Sequence, residues 1–446
     1  MNTSLTQLTN RDVLLSRLAE SRRITDDLFR IVRTESLYDR PIAERHRIVF
    51  YIGHLEAFDW NLIAGQALGL GPAHKQFDNL FAFGIDPVGG GLPDDKPCDW
   101  PQLAEIDAYN FGVRQKIDSF FEGYQRAPAR DWQYPEELIL NVAIEHRLMH
   151  AETLAYMLHQ LSAEWKIPPR GYRRISDSRS RLPVTSRMID IPAGTATLGI
   201  PRGGESFGWD NEFEEHSVEV PAFAIGSHKV TNSEFIKFVR EGGYDDRSLW
   251  SDADWSWIKK HGIHHPSFWF MRRGQWFYRA MFEEIELPLD WPVYVSHAEA
   301  AAYARFTGHS LPTEEQFHRA AYGTPEGIER TYPWGDETPG VTHGNFDFQH
   351  WDPVAAGSYS AGRSAFGLED ALGNGWEWTS SNFAPLPGFE AFPFYRGYSA
   401  DFFDRNHFVV KGASPRTAAC MLRRSFRNWF QPHYPYVYAS LRCVEN

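Results

Sequence analysis

The sequence predicts two domains of different class, a helical bundle followed by a loop-rich α+β domain. The 446 residues exceed the usual length of a single domain. Segments with apolar residues at helical spacing dominate the first third of the chain. From Met188 onward, short β-prone runs alternate with turns of Gly, Pro, Asn and Asp. We therefore expect a bundle at 1–165, a basic, Pro-containing surface linker at 166–187 and an α+β domain at 188–446.

Four segments of the first domain have the pattern of bundle helices, with inward apolar residues and few internal Gly or Pro. They are a first helix that runs to about Thr34, a second over roughly Ala43 to Leu68, a third from Trp100 to Tyr124 after the cap Asp99, and a fourth from Tyr134 to Glu164. Four helices with long connections between them are typical of a four-helix bundle.

Two histidines lie one turn apart on the fourth helix. His146 and His150 fall on its predicted apolar stripe. An (i, i+4) pair places both imidazoles on one face, with about 6 Å between the Cβ atoms. This geometry suits a shared metal ion. The alternative is a pair of hydrogen-bonded core histidines, and the spacing alone does not separate the two.

A third histidine, His54, lies on the inward face predicted for the second helix. An imidazole aimed at a bundle core is costly unless a partner satisfies it. Metal sites in bundles are built from inward side chains on facing helices. Three neutral imidazoles leave coordination positions open, which indicates a catalytic metal. The set suits zinc, and it equally suits non-haem iron that also binds substrate and dioxygen.

The connection between the second and third helices is long and rich in Gly, Pro and Asp. Loops of this length inside a compact domain are usually functional or disordered. Because this one carries Phe77, Leu80, Phe81 and Phe83, we expect it to pack near the metal end of the bundle.

Three short helices are predicted in the second domain, each with a polar N-cap. They cover Asn232–Glu241 after Thr231, His297–Thr307 after Ser296, and a segment that follows Thr313, with Gln316 completing a capping box. Beyond Tyr322 the sequence predicts little regular structure.

Charge and cysteine content narrow the function classes. The formal net charge is −13 and no basic run offsets it, which argues against nucleic acid as a partner. The three cysteines, Cys98, Cys420 and Cys443, form no C-x-x-C motif, and an odd number fits a disulfide framework poorly. The N-terminus has no apolar signal core, and no run of 18 apolar residues occurs. We therefore expect a cytoplasmic protein without a membrane partner.

The second domain resembles the formylglycine-generating-enzyme (sulfatase-modifying factor) family, whose fold is a variant of the C-type lectin fold. The resemblance rests on IPAGTATLGI, HKVTNSEFIKFVREGGYDD, YPWGD, FGLEDALGNGWEWTSS, VVKGAS and SFRNWF, which together span nearly all of 188–446. Oxidase members of that family use a late pair of cysteines. Cys420 and Cys443 do not match that pattern, so we do not expect the oxidase activity.

The first domain looks like a DinB-type four-helix bundle, and the two modules in this order resemble the sulfoxide synthases of ergothioneine and ovothiol biosynthesis and the related selenoneine synthases. That resemblance implies Fe(II) held by three histidines, which map onto His54, His146 and His150. It implies an O2-dependent enzyme that joins a chalcogen donor to imidazole C2 of hercynine, at the junction of the two domains.

The resemblance also suggests substrate residues near the C-terminus. In ergothioneine synthases an Asn-Trp pair helps to hold the betaine, and here it is Asn428-Trp429. A trimethylammonium group favours an aromatic face. Synthases that use γ-glutamylcysteine carry an Asp directly after this pair and an Arg four residues later, where this chain has Phe430 and Tyr434. This difference indicates an uncharged donor, and we favour a selenosugar and the selenoneine branch, with a thiol donor as the alternative.

The family also uses a tyrosine near the iron as a proton donor. Tyr395 and Tyr398 are both candidates for that catalytic role, because both lie in the segment before the strand VVKGAS.

Two other function classes remain compatible with the sequence. One is a DinB-type thiol transferase or hydrolase that uses zinc or nickel. The other is a binding module without catalysis, since lectin-like folds often act as scaffolds. Metal analysis separates the first class from an iron enzyme, and a binding module predicts no loss of function on His146→Ala.

Overall fold

The computed structural model describes residues 10–82, 92–124, 132–175, 186–204 and 206–445. The chain divides into two compact units, Met1–Arg170 and Gly171–Asn446. The finer domain bounds drawn from the sequence stay a prediction.

The described residues of unit 1 form four long α-helices and one short α-helix. They are α1 (Asn10–Arg30), α2 (Ile48–Asp59), α3 (Lys75–Leu80), α4 (Leu103–Tyr124) and α5 (Glu136–His159). Helix α1 packs along α5, and α2 packs along α4. Within the described ranges, none of the protein's helices is both long and apolar enough to cross a bilayer.

Two helices begin three or more residues later than the sequence predicts. Helix α2 begins at Ile48 rather than near Ala43, because Arg47 has an extended backbone. From Trp60 to Ala67 it continues as a π-helix. Helix α4 begins at Leu103 rather than Trp100. The residue before a proline disfavours the helical conformation, and Trp100, which precedes Pro101, is extended.

Helix α5 is buried on nearly all sides rather than along one stripe. Its buried residues include the charged side chains Glu145, Arg147 and Glu152 as well as the apolar ones. A helix enclosed in this way lies at the centre of its unit. The polar side chains of α5 therefore require partners within the bundle.

Within its described residues, unit 2 is built on four small sheets. One contains β1 (Met188–Ile191), β4 (Phe223–Gly226) and β12 (Val444–Glu445); another pairs β2 (Gly194–Leu198) with β3 (His216–Val220); a third contains β5 (Trp269–Arg272), β6 (Gln275–Arg279) and β7 (Glu284–Glu286). The fourth sheet contains β8 (Gly375–Asn382), β9 (Phe408–Ala413), β10 (Asn428–Phe430) and β11 (Ala439–Ser440). Its strand order is β10-β9-β8-β11.

The prediction of little regular structure beyond Tyr322 is therefore wrong, because this four-stranded sheet lies entirely in that region. Its strands contain many Gly, Trp, Ser and Asn residues, which obscure an apolar alternation. Strand β8 pairs antiparallel with β9 and parallel with the two-residue β11.

The part of unit 2 that the structure describes also forms four α-helices, three of which were predicted. They are α6 (Asn232–Arg240), α7 (Asp252–His261), α8 (His297–Phe306) and α9 (Glu314–Tyr322). The predicted N-caps Thr231, Ser296 and Thr313 are all present, and each of them forms a capping box, which was predicted only at Thr313. Helix α7, which Ser251 caps, was not predicted. Its sequence is rich in Asp, Trp and Lys and buries only Ile258, so it has little apolar pattern.

A candidate metal centre and the predicted substrate residues

The three predicted histidines converge inside unit 1. His54 comes from α2 and His146 and His150 from α5, and all three are at least 95% buried. The Nε2 atom of His150 lies 3.2 Å from Nε2 of His54 and 3.1 Å from Nε2 of His146. Within the described residues, this is the set of His, Cys, Asp and Glu side chains whose ligand atoms lie close enough to hold one metal ion.

The connection after α2 orients His54. Nδ1 of His54 lies 2.6 Å from the carbonyl oxygen of Phe81. A carbonyl only accepts, so Nδ1 carries the proton and Nε2 presents a lone pair to the other two rings. Phe81 is fully buried, which supports the expectation that this connection packs at the metal end. Phe83 lies outside the described residues.

Burial keeps the histidines neutral. It lowers the pKa of His54 to about 4, although the bond to the Phe81 carbonyl opposes this shift. The pKa values of His146 and His150 are lowered well below the usual value by burial and then by the neighbouring imidazoles. Neutral imidazoles are the form that binds a metal ion.

Aromatic side chains form the walls of the cluster. Phe58 stacks on His146 with ring centroids 3.4 Å apart, and Phe50 stacks on His54 at 4.8 Å. Tyr51 lies 5.8 Å from His150. These rings hold the imidazoles in place and exclude water on their side.

Hydrogen bonding alone does not satisfy this arrangement. Nε2 of His150 is common to both close contacts, and Nε2 of His54 is an acceptor. If Nε2 of His150 also accepts, two lone pairs face each other. If it donates, its single N–H can satisfy the nitrogen of His54 or that of His146 but not both. A cation at the point of convergence resolves the conflict, because all three atoms then donate lone pairs to it.

The spacing also fits a metal. Two nitrogen ligands about 2.1 Å from one ion are about 3.0 Å apart at a right angle and about 3.4 Å apart at a tetrahedral angle. The measured separations of 3.1 and 3.2 Å lie within this range. The donor set therefore fits a three-histidine metal centre.

The predicted substrate residues lie in unit 2, on or near β10. Trp429 stacks on Phe383 with centroids 4.0 Å apart, and Tyr398 and Phe402 lie 5.5 and 5.6 Å from its ring. Trp429 is half-buried in this aromatic cluster. The side-chain oxygen of Asn428 accepts a bond of 2.9 Å from the backbone N–H of Trp429, so its amide nitrogen is the group left to donate.

The two candidate tyrosines are not equivalent. The ring of Tyr398 stacks on Trp209 at 4.0 Å and contacts Trp429 at its edge. Tyr395 lies 5.5 Å from Tyr398 and borders Trp209 at 6.4 Å. Both are half-buried. Tyr398 is thus the one that lies against the predicted betaine residue.

Phe430 and Tyr434 lie side by side. Their rings stack at 6.0 Å with an interplanar angle of 10°, and Trp378 meets Phe430 edge-on at 6.4 Å. Phe430 is half-buried, whereas Tyr434 is buried. This pair forms an aromatic surface without a charged side chain of its own.

The sequence analysis missed a segment, Trp209 to Glu212, that connects these groups. Glu212 accepts bonds of 2.5 and 2.7 Å from Arg423 and one of 2.6 Å from Ser425, shortly before β10. Asp210 accepts from the Ser399 hydroxyl, next to Tyr398.

Asn211 extends the same connection. Its side-chain amide donates to Ser399 Oγ at 3.0 Å, and its carbonyl oxygen accepts from Arg427 at 3.3 Å. The segment thus holds the Tyr398 loop and the approach to Trp429 together. Its signal in the sequence is an Asp-Asn-Glu run that follows a tryptophan.

Comparison with known proteins identifies the family. Residues 175–446 match the sulfatase-modifying factor enzyme 1-like domain. The hercynine oxygenase of Mycolicibacterium thermoresistibile is 37% identical over 315 residues, which cover 68% of this chain and 68% of that protein. The chain belongs to the family of the hercynine oxygenases.

Two further relatives extend this similarity. The hercynine oxygenase of Mycobacterium tuberculosis is 40% identical over 250 residues, covering 55% of this chain and 58% of that protein. Ergothioneine biosynthesis protein 1 of Neurospora crassa is 29% identical over 502 aligned positions, covering 92% of this chain and 55% of that protein. The aligned region thus covers little more than half the length of these two relatives.

Family membership confirms two predictions in their coarser form. The chain is a multidomain protein with an α+β domain of the predicted kind, and it belongs to the predicted ergothioneine-synthase-like family. The DinB type of the first unit and the selenoneine branch stay predictions.

Proposed function

We propose that this protein is an O2-dependent non-haem Fe(II) enzyme that joins a chalcogen donor to imidazole C2 of hercynine. The observation that carries the proposal is the convergence of three neutral histidines in a chain whose relatives are named hercynine oxygenase. His54, His146 and His150 would hold the iron, which supplies coordination positions for substrates and the capacity to reduce dioxygen.

The overall reaction balances with dioxygen as the sole oxidant. Hercynine loses its C2 hydrogen and the donor loses its S–H or Se–H hydrogen as the carbon–chalcogen bond forms. These changes release two electrons, and oxidation of the chalcogen to its oxide releases two more. Dioxygen accepts all four, so that one oxygen atom enters the product and the other leaves as water.

The residues around Trp429 have separable roles in this proposal. The open part of the Trp429 ring binds the trimethylammonium group through cation–π attraction. The amide of Asn428 donates to the substrate carboxylate. The Tyr398 hydroxyl supplies the proton that reduction of dioxygen consumes, and its contact with Trp429 favours it over Tyr395 in this role.

Donor choice is proposed to follow from Phe430 and Tyr434. A guanidinium binds a carboxylate through two parallel bonds, and Tyr supplies neither that fork nor the charge. The stacked pair offers an apolar face that suits a sugar ring. We therefore favour a selenosugar as the donor, and C–Se bond formation of the selenoneine type.

A sulfur donor is the second candidate. The relatives named ergothioneine biosynthesis protein 1 favour it. In that case cysteine or γ-glutamylcysteine replaces the selenosugar, and the product is a C–S sulfoxide.

The test combines labelled hercynine with donor competition. Protein loaded anaerobically with Fe(II) is given air, hercynine deuterated at C2, and equal concentrations of 1-selenoglucose, cysteine and γ-glutamylcysteine. We expect an adduct without the deuterium, with the selenosugar consumed first. Preferred turnover of γ-glutamylcysteine would support the second candidate, and the absence of any C2 adduct would refute both.

Matched histidine variants test the metal centre in the same experiment. His54→Ala, His146→Ala and His150→Ala are each expected to lose bound iron and turnover while remaining folded. The exposed His264 provides the control, and His264→Ala should keep both. Full iron occupancy in any of the first three variants would remove that residue from the ligand set.

A further inference from the structure

A network of buried charges lies beside the histidines in unit 1. Arg147 of α5 donates to Asp59 at 2.6 Å and to Glu56 at 3.0 Å, both on α2. All three side chains are at most 1% exposed. Arg147 also donates to the backbone carbonyl oxygen of Leu55 at 3.1 Å. One guanidinium therefore binds α2 at three points.

The network reaches the other two long helices. Arg114 of α4 contacts Glu56 at 2.7 Å and holds Asp26 of α1 through two bonds of 2.8 Å. Arg22 of α1 binds Asp118 of α4 at 2.7 Å, and its Nε lies 4.0 Å from Asp59. All four long helices thus contribute charged groups to one connected set.

The network and the histidines occupy neighbouring positions in the chain. Arg147 directly follows His146, and Leu55 directly follows His54. On each of these two helices, one metal-facing imidazole is therefore followed directly by a residue whose atoms bind the opposite helix. Because a helix is rigid over one turn, a bond that fixes Arg147 against Leu55 also fixes His146 relative to His54.

Stability alone is a weak explanation for this network. Burying ions carries a desolvation cost that their mutual attraction often does no more than balance, and apolar replacements of similar volume are frequently neutral or stabilising. What such a network does supply is a single register. Apolar helix faces tolerate several relative positions, and a slip by one turn moves a side chain by about 5.4 Å. A slip of that size would separate the imidazoles.

We propose that Arg147, through Glu56, Asp59 and the Leu55 carbonyl, is the positioning residue that sets α2 against α5 at the spacing at which three histidines share one metal ion. The inference rests on the proposed metal centre. It assigns a function to buried charges whose contribution to stability alone explains them weakly.

The test separates metal binding from stability. The triple variant Glu56→Gln/Asp59→Asn/Arg147→Met removes the charges and keeps the shapes, and Arg147→Lys keeps the charge but loses the two-pronged geometry. The exposed ion pair on α1 provides the control, as Arg23→Met/Asp27→Asn. Each protein is titrated with Co(II), and its visible absorption spectrum and its Tm are recorded.

We expect Co(II) affinity to fall about 10- to 100-fold in both network variants, the range typical for residues that orient metal ligands. The Co(II) spectrum should change, because the ligands no longer meet at the same spacing. The Tm of the triple variant should stay within a few degrees of the parent, and the control should match the parent in every measurement.

The outcomes distinguish the two proposals. If the parent binds Co(II) and the network variants bind it with equal affinity and an unchanged spectrum, the positioning role is refuted and the metal centre stands. If the parent binds no Co(II), both fall. If the triple variant fails to fold, Arg147→Lys decides, since an unchanged spectrum and affinity in that variant overturn the proposal.

Discussion

At the scale of single residues, the chemistry of this protein depends on side chains that burial holds in their neutral form. His54, His146 and His150 are neutral because desolvation lowers their pKa values, and neutral imidazoles are metal ligands. Asp210 is affected in the opposite direction, because desolvation raises the pKa of this carboxyl to about 6. Trp429 has no charge, and its proposed role depends on how much of its ring the neighbouring aromatics leave open.

Trp429→Ala should weaken hercynine binding about thirty-fold. Cation–π attraction to a desolvated quaternary ammonium is worth about 2 kcal/mol, and that energy converts to the stated factor. Calorimetric titration with hercynine and, separately, with the donor measures the effect, and donor affinity should change little. Trp334→Ala removes a half-buried tryptophan from a different aromatic stack and serves as the control. Equal hercynine affinity in all three proteins would assign Trp429 to packing alone.

Asp210→Asn should change how stability depends on pH. The Asp210 carboxyl has a pKa of about 6 when folded and 3.8 when unfolded, because burial outweighs its hydrogen bonds to Ser399 and to backbone N–H groups. Between these values the native state holds a proton that the unfolded chain has lost. The contribution of the protonated Asp210 carboxyl to the free energy of unfolding is therefore complete below pH 3.8, and it is lost as the pH rises through 6. The full shift is worth on the order of 3 kcal/mol.

Asparagine cannot ionise, so the Tm of Asp210→Asn minus that of the parent should rise between pH 4 and pH 7. Thermal unfolding at several pH values in this range measures the difference. The variant Asp190→Asn, at an exposed carboxyl, is measured beside it as the control. A flat difference for Asp210→Asn would mean that this carboxyl is already ionised at pH 4.

At the scale of elements, the metal centre depends on how tightly α2 meets the connection that follows it. Gly53 precedes His54, and a Cβ atom at Gly53 would lie 2.5 Å from the ring of Phe81. The carbonyl of Phe81 is the acceptor that orients His54. A glycine at this point of α2 therefore allows the close approach that gives His54 its tautomer, at the cost of about 1 kcal/mol in helix propensity relative to alanine.

Gly53→Ala should lower metal affinity although it improves helix propensity. The added methyl displaces the Phe81 ring and with it the bond to Nδ1 of His54, for which we expect a loss of roughly ten-fold or more in affinity. Gly65→Ala, in the π-helix that extends α2, has open space at its Cβ position and should keep the parent affinity. Metal titration of the two variants provides the comparison. Parent affinity in Gly53→Ala would show that Phe81 adjusts without releasing His54.

At the scale of the whole molecule, the predicted roles are divided between the two compact units. The three histidines and the ion network belong to Met1–Arg170, and the predicted betaine and donor residues belong to Gly171–Asn446. Metal binding and hercynine binding are therefore expected to depend on different parts of the chain.

The polypeptide 1–170 should bind one Co(II) ion per chain without the second unit, because all three ligands and their positioning network lie within it. Circular dichroism first establishes that it keeps its helices, and metal titration then measures the stoichiometry. The His146→Ala form of the same polypeptide is the control and should bind none. A folded 1–170 that binds no metal would show that the second unit completes the site.

The amino-acid sequence was sufficient to predict the two-domain organisation, the four long helices, three of the capped helices of the second domain and the family. It also singled out the three histidines. These features follow from local patterns: apolar residues at helical spacing, polar caps, and long motifs that match a known family. The helical spacing and the caps reflect conformational preferences that act over a few residues.

Which distant groups meet follows from the tertiary structure. The fold brings Nε2 of His150 to within hydrogen-bonding distance of Nε2 of both His54 and His146. It also places the Phe81 carbonyl on His54 and pairs Arg147 with Glu56 and Asp59. The late sheet of unit 2, β10-β9-β8-β11, was missed for the same reason. A buried charge or a strand of Gly, Trp and Ser has little local signal, because its stability comes from partners that are far away in the chain.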